Sequence, residues 1–129
     1  MPNAIAMKVL VVDDQNSVRQ MTRITHEQLG IRHIHEAENG KAAMETAALQ
    51  PLDLIISDYN MPEMDGLGLL RAVRCHPAVR KVPFILLTGR GDRELVVKAA
   101  QAGVNNYLVK PFTAEILRQK IEQVVGKLS

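Results

Sequence analysis

The sequence predicts an α/β protein: a doubly wound, five-stranded parallel sheet covered by five helices. Three observations predict it. Apolar strand-like runs and helical stretches alternate five times along 129 residues, and each parallel crossover needs a helix to return the chain. Runs such as "VLVV" and "FILL" are apolar without interruption, as strands buried on both faces must be. No linker, repeat or low-complexity stretch is left over for a second domain, so residues 1–129 read as one domain, with a core from about 8 to 128 and a short lead over 1–7.

The elements follow in order. "KVLVV" is a β-branched run, a strand from about Lys8 to Val12 that closes in acid. In "QNSVRQMTRITHEQLG", Val18, Met21, Ile24 and Leu29 recur at helical spacing and Gly30 stops the helix. "RHIHEAE" alternates weakly and reads as the second strand. "NGKAAMETAALQPLD" is Ala-rich and helical, with Asn39-Gly40 as a turn and Pro51 beyond its end. "LDLIISD" is the third strand, and "DGLGLLRAVRCH" a helix through Leu67, Leu70 and Val73 with Pro77 past it. "VPFILLTG" is the fourth strand. "DRELVVKAAQAG" is a helix that Asp92 caps and Gly103 ends. "NNYLVKP" is the fifth strand, and "TAEILRQKIEQVVGKL" the last helix, with Thr113 as N-cap and Glu115 in its first turn.

Composition narrows the function. The chain is 47% hydrophobic and 23% charged, in the range of soluble globular proteins. A net charge of +2, with no basic cluster interleaved with aromatics, gives no footprint for nucleic acid. The single cysteine, Cys75, excludes an intramolecular disulfide. "MPNAIAM" lacks the basic start and apolar run of a signal peptide, and no segment is long enough to cross a membrane. The expected location is the cytoplasm.

In open parallel sheets, ligands bind beyond the carboxyl ends of the strands. Those ends carry Asp13 and Asp14 after strand one, Asp58 on strand three, Thr88 on strand four and Lys110 on strand five. Carboxylates about 4 Å apart repel by roughly 1–4 kcal/mol per pair, and a divalent cation offsets this. Oxygen ligands without a Cys/His set select Mg²⁺. Lys110 and the Thr88 hydroxyl beside such an ion make a phosphoryl pocket. Asp58, on the central strand between the acid pair and the lysine, is the natural nucleophile for an acyl phosphate.

Together, "VLVVDD", "LIISDYNMPEMDG", "ILLTG" and "NNYLVKPF" resemble the motifs of response-regulator receiver domains, the CheY-like family. The resemblance runs from about Lys8 to Leu128, in the family's order. It implies a CheY-like fold and a two-component phospho-acceptor in which Asp58 takes a phosphoryl group from a histidine kinase. It implies that Asp14 and Asp58 bind Mg²⁺ directly, that Asp13 acts mostly through water, and that Asn60 supplies its backbone carbonyl. Lys110 would pair with the phosphoryl oxygens. Thr88 would swing toward the phosphate, and Tyr107 would rotate inward behind it. The face formed by the fourth helix, fifth strand and fifth helix would change its binding to a downstream protein. A cis bond is expected at Lys110–Pro111. Asn60 and Arg90 occupy the places that influence acyl-phosphate lifetime in this family. Gly89 stands where alanine is frequent. "GVNNYLVKPF" lacks the acids common in dimerising receivers, which favours a monomer or weak dimer, and "FTAEILRQKIEQVV" is similar to the last helix of the chemotaxis regulators.

The expected function is therefore a stand-alone signal carrier of chemotaxis or motility type that catalyses only its own phosphorylation and dephosphorylation. A phosphatase is a further candidate partner. Three other readings stand beside it: a phosphate sink, a phosphorylation-independent scaffold, and a small aspartyl-phosphate phosphatase, whose D-x-D motif on strand one is absent. The start methionine and full final helix speak against a fragment of a longer protein. Other features have plainer readings. His33 and His35 share a strand face and read as edge histidines, while His26 and His76 have no partner in sequence. "RGD" at 90–92 is a chance tripeptide. "RCHPAVRKVP" is a solvated basic loop opposite the acids, Cys75 has no activating neighbour, and the methionines are packing.

Overall fold

The computed structural model describes residues 6–61, 63–89, 93–110 and 112–126, apart from the side chains of 16–18 and 21. Ten elements alternate as expected: β1 (Lys8–Val12), α1 (Asn16–Gln28), β2 (His33–Ala37), α2 (Gly40–Leu49), β3 (Leu54–Asp58), α3 (Gly66–Cys75), β4 (Phe84–Thr88), α4 (Arg93–Gln101), β5 (Asn106–Val109) and α5 (Ala114–Val125). All strand pairs are parallel, in the order β2-β1-β3-β4-β5. The expectations for Val18, Met21, Arg90, Asp92, the tripeptide at 90–92, the Lys110–Pro111 bond and Leu128 fall outside the described residues or side chains.

Side chains alternate across the sheet and build two cores. Leu10, Val12, Ile55, Phe84 and Leu86 pack on one face with Leu67, Leu70, Val73 and Ala99 from α3 and α4. Val9, Val11, Leu54, Ile56, Ile85 and Leu87 pack on the other with Leu117 and Ile121 of α5. Every residue of β3 and β4 is buried, which is why those strands carry unbroken apolar runs up to Ser57-Asp58 and Thr88.

Three local expectations need correction. Ile24 does not face the core; it is 54% exposed, while Thr22 and His26 are buried. Ile24 lies two residues, about 200° of helix, from each of them, so the inward stripe of α1 runs through the polar pair. Asn39-Gly40 is not a turn ahead of the helix, because Gly40 is the first residue of α2 and Asn39 its N-cap. The Asn39 Oδ1 accepts from the Ala42 N–H at 2.8 Å and caps α2. The basic segment "RCHPAVRKVP" is not simply a solvated loop, since it begins with Arg74 in the last turn of α3. Arg74 donates through Nε to Gly103 O (3.0 Å), through Nη1 to Val82 O (2.7 Å) and Arg80 O (3.1 Å), and through Nη2 to Asn105 Oδ1 (2.7 Å). It ties α3 to the segments leading into β4 and β5.

Candidate functional site

Strand register assembles the site. Val12 pairs with Ser57, so the residues that follow, Asp13 and Asp58, come level at the carboxyl edge. On the other side Asp58 pairs with Leu87, and Thr88 with Val109. Lys110 therefore emerges one step beyond Thr88, its N–H donating to the Thr88 carbonyl at 2.8 Å. Two backbone bonds extend the ladder around the acids: Asp13 N–H donates to Ala37 O at 3.0 Å, and Tyr59 N–H to Leu87 O at 2.8 Å.

Asp13, Asp14 and Asp58 each offer a carboxylate oxygen within 4.8 Å of the others. Asp13 and Asp58 are buried and Asp14 is exposed. Lys110 Nζ lies 2.7 Å from Asp58 Oδ1 and 3.8 Å from Asp13 Oδ2, which answers how a carboxylate can end a fully buried strand: a cation is paired with it. Asp13 is fixed at two further points. Its Oδ1 accepts from Gln15 N–H at 2.9 Å, its carbonyl accepts from Arg19 Nη1 at 2.6 Å, and Arg19 in turn pairs with Glu36 on β2. Its Oδ2 is buried without a hydrogen bond. Burial, helped by the Asp58 and Asp14 charges and opposed by Gln15 N–H and Lys110, raises its carboxyl above the usual 3.8.

A buried carboxylate oxygen without a hydrogen bond, beside two further carboxylates, fits a hard cation, which takes oxygen ligands. No His or Cys joins the group among the described residues, so the donor set suits Mg²⁺ and not zinc. Asn60 is exposed in the loop directly after Asp58. Two contacts hold that loop: Met61 is buried in the core, and Gly66 N–H donates to Tyr59 O at 2.8 Å.

The loop also depends on Gly66 having no side chain. A Cβ there would lie 2.3 Å from Asp58 O, 2.7 Å from Leu86 Cδ1 and 2.9 Å from Tyr59 Cα. Sequence reading did not single out Gly66, because the close approach of α3 to the end of β3 exists only in three dimensions. At Gly89, by contrast, a Cβ would meet nothing within 4 Å. The glycine is not what keeps this part of the site open.

Thr88 is buried at the end of β4. Leu86 pairs with Tyr107 and Thr88 with Val109, so Thr88 and Tyr107 stand diagonally on one face of adjacent strands. Tyr107 is half-buried against the core on that face. His35 lines a cavity of about 320 Å³ under α2 with Glu45, Thr46 and Leu49, and His33 is exposed on edge strand β2. Neither joins the acid group. His26 is fully buried in α1, and burial lowers its imidazole to about 4, opposed by its bond to Thr22 O. No helix among the described residues is long and apolar enough to cross a membrane.

The response regulator receiver domain profile matches residues 9–122. The chain is 49% identical over 122 residues to the probable chemotaxis protein CheY of Rhizobium etli, covering 95% of each chain. It is 43% identical over 121 residues to chemotaxis protein CheY1 of Helicobacter pylori, covering 93% of this chain and 98% of that one. Among solved structures, chemotaxis response regulator CheY4 of Vibrio cholerae superposes with a TM-score of 0.84 at 36% identity, over 92% of this chain and 98% of the other.

Proposed function

The chain belongs to the response regulator receiver domain family, and from that premise we propose that Asp58 is its phosphoryl acceptor, with a histidine kinase as donor. The observation that carries this is the pairing of a buried, strand-ending carboxylate with Lys110 at 2.7 Å beside a buried acid oxygen that has no hydrogen bond. An Asp58 carboxylate oxygen attacks phosphorus and forms the O–P bond. The P–N bond of the donor phosphohistidine breaks, and its electron pair stays on the imidazole nitrogen. Lys110 passes from Asp58 Oδ1 to the incoming phosphoryl oxygens, and the Thr88 hydroxyl donates to another. Asp13, Asp14, Asp58 and the Asn60 carbonyl would hold Mg²⁺, which when bound supplies charge neutralisation for the transferring group. The chain acts on its own phosphoryl group only, in transfer and in hydrolysis.

The phosphorylated carboxylate gains negative charge and acceptor oxygens. Thr88 moves toward them, and the ring of Tyr107, diagonal to it on the same face, follows into the space left. The surface of α4, β5 and α5 changes, and a protein that prefers the new surface shifts the population. The names of the relatives support a partner in chemotaxis or motility.

Incubation with acetyl phosphate, with and without Mg²⁺, tests the acceptor by intact mass. The expected result is a Mg²⁺-dependent gain of one phosphoryl group in the wild type and none in Asp58→Asn. Absence of both mass gain and donor consumption sinks the mechanism and leaves a receiver-shaped scaffold. A modified protein that changes no partner's affinity is instead a phosphate sink.

A further inference from the structure

Lys120, on α5, places its ammonium 4.9 Å from the centroid of the Tyr107 ring, within cation–π range. The placement is built in. Asn106, the residue before Tyr107, donates through Nδ2 to Lys120 O (3.3 Å) and to Gln123 Oε1 (2.8 Å). Its Oδ1 accepts from Tyr107 N–H at 2.9 Å. One asparagine side chain thus locks the register of α5 against β5 beside the ring. Tyr107 and Lys120 are both half-buried, so the contact is partly shielded from water.

We infer that Lys120 is a positioning residue of the switch: by seating its ammonium on the Tyr107 ring, it favours the half-exposed placement of that ring and sets the resting equilibrium of the domain. This rests on the reading of Tyr107 as the group that moves. A ring turned inward behind Thr88 leaves the ammonium, and that loss opposes activation. The contact is lost only in the active state, so removing it raises the active fraction of the free protein. By linkage, it also tightens whatever binds the active state, by the same factor. A cation–π contact that still meets solvent, as this half-buried one does, corresponds to a factor of about two to five. The sign is diagnostic, since simple removal of a cation would weaken the binding of an anion.

The test is a beryllofluoride titration at saturating Mg²⁺, followed by NMR of ring-labelled tyrosine. The sequence holds only two tyrosines, Tyr59 and Tyr107, and no tryptophan, so the signals are separable. The expected result is that Tyr107 moves on saturation of the wild type and that Lys120→Met binds beryllofluoride about two- to fivefold more tightly. Lys120→Arg, which keeps the cation, should stay close to wild type. In a Tyr107→Leu background, Lys120→Met should have no effect. Unchanged or weaker binding by Lys120→Met overturns the inference, as does equal tightening without the ring. A wild type that binds beryllofluoride with Tyr107 unmoved overturns the switch reading and the inference with it. A wild type that binds none overturns the acceptor reading itself.

Discussion

Lys110 Nζ lies 2.7 Å from Asp58 Oδ1, an ion pair between the end of β5 and the end of the fully buried β3. The two residues are 52 apart in sequence and neighbours only through the parallel register of β3, β4 and β5.

Lys110→Ala therefore removes both the proposed phosphoryl-binding cation and the partner of a buried acid. Acceptance of a phosphoryl group from acetyl phosphate should slow by about a hundredfold or more. Urea denaturation at pH 7 should show a loss of about 1–3 kcal/mol. Unchanged phosphorylation kinetics in a folded variant would remove Lys110 from the site.

Mg²⁺ should stabilise the protein. At a hundredfold excess over its dissociation constant the gain is about 2.7 kcal/mol, seen as a higher thermal midpoint that EDTA reverses. Asp13→Asn removes one of the three clustered carboxylates proposed to hold the ion and should shift that stabilisation to higher Mg²⁺ concentration. An equal Mg²⁺ response in the variant would take Asp13 out of the metal set.

His26 predicts an acid-sensitive fold. Its ring titrates at about 4 in the folded protein against 6.5 when unfolded, so between those values the unfolded chain holds more protons. Stability from this group is complete above pH 6.5 and falls with pH, by about 3 kcal/mol in total by pH 4. Denaturation of the wild type and His26→Leu at pH 7 and pH 5 checks it. The variant should lose less stability between the two, and equal losses would contradict the assignment.

Arg74→Ala should cost about 2–4 kcal/mol, since four acceptors in separate segments lose a charged donor. Arg74→Lys should recover only part of this, because an ammonium cannot reproduce the planar fork. Full recovery by lysine would show that charge, not geometry, matters there.

Gly66→Ala should destabilise by about 1–3 kcal/mol and slow phosphorylation, because two of the three atoms it would meet are backbone atoms of Asp58 and Tyr59. Gly89→Ala, with open space at Cβ, should stay within about 0.5 kcal/mol of wild type. Equal stabilities for the two variants in urea would refute the packing account.

Much of this was legible before any coordinates. The alternation of five strands and five helices came from periodicity, and the acids, Thr88 and Lys110 stood out because each closes a strand of one parallel sheet. What escaped shares a physical cause. Ile24 recurs at the apolar spacing of α1 yet faces solvent, because amphipathic reading counts apolar residues and gives no sign that Thr22 and His26 turn inward, with His26 Nδ1 donating to the Thr22 carbonyl. Arg74 read as solvated because its acceptors at Arg80, Val82, Gly103 and Asn105 are backbone or amide oxygens with no signature in sequence. The Lys120–Tyr107 contact depends on the register of α5 on β5, which no local pattern states.

The central place of β3 has a bearing on motion. It is bonded on both sides, to β1 and to β4, and each of its residues is buried. Its amide protons should exchange with solvent only when the whole domain opens, whereas half-exposed β5 and the surface of α4 open locally and often. The carboxylate proposed as acceptor is thus mounted on the strand expected to exchange most slowly, and the elements proposed to respond to it are drawn from those that yield at little cost. On the proposed reading, a message is received where the molecule is stiff and delivered where it is pliant.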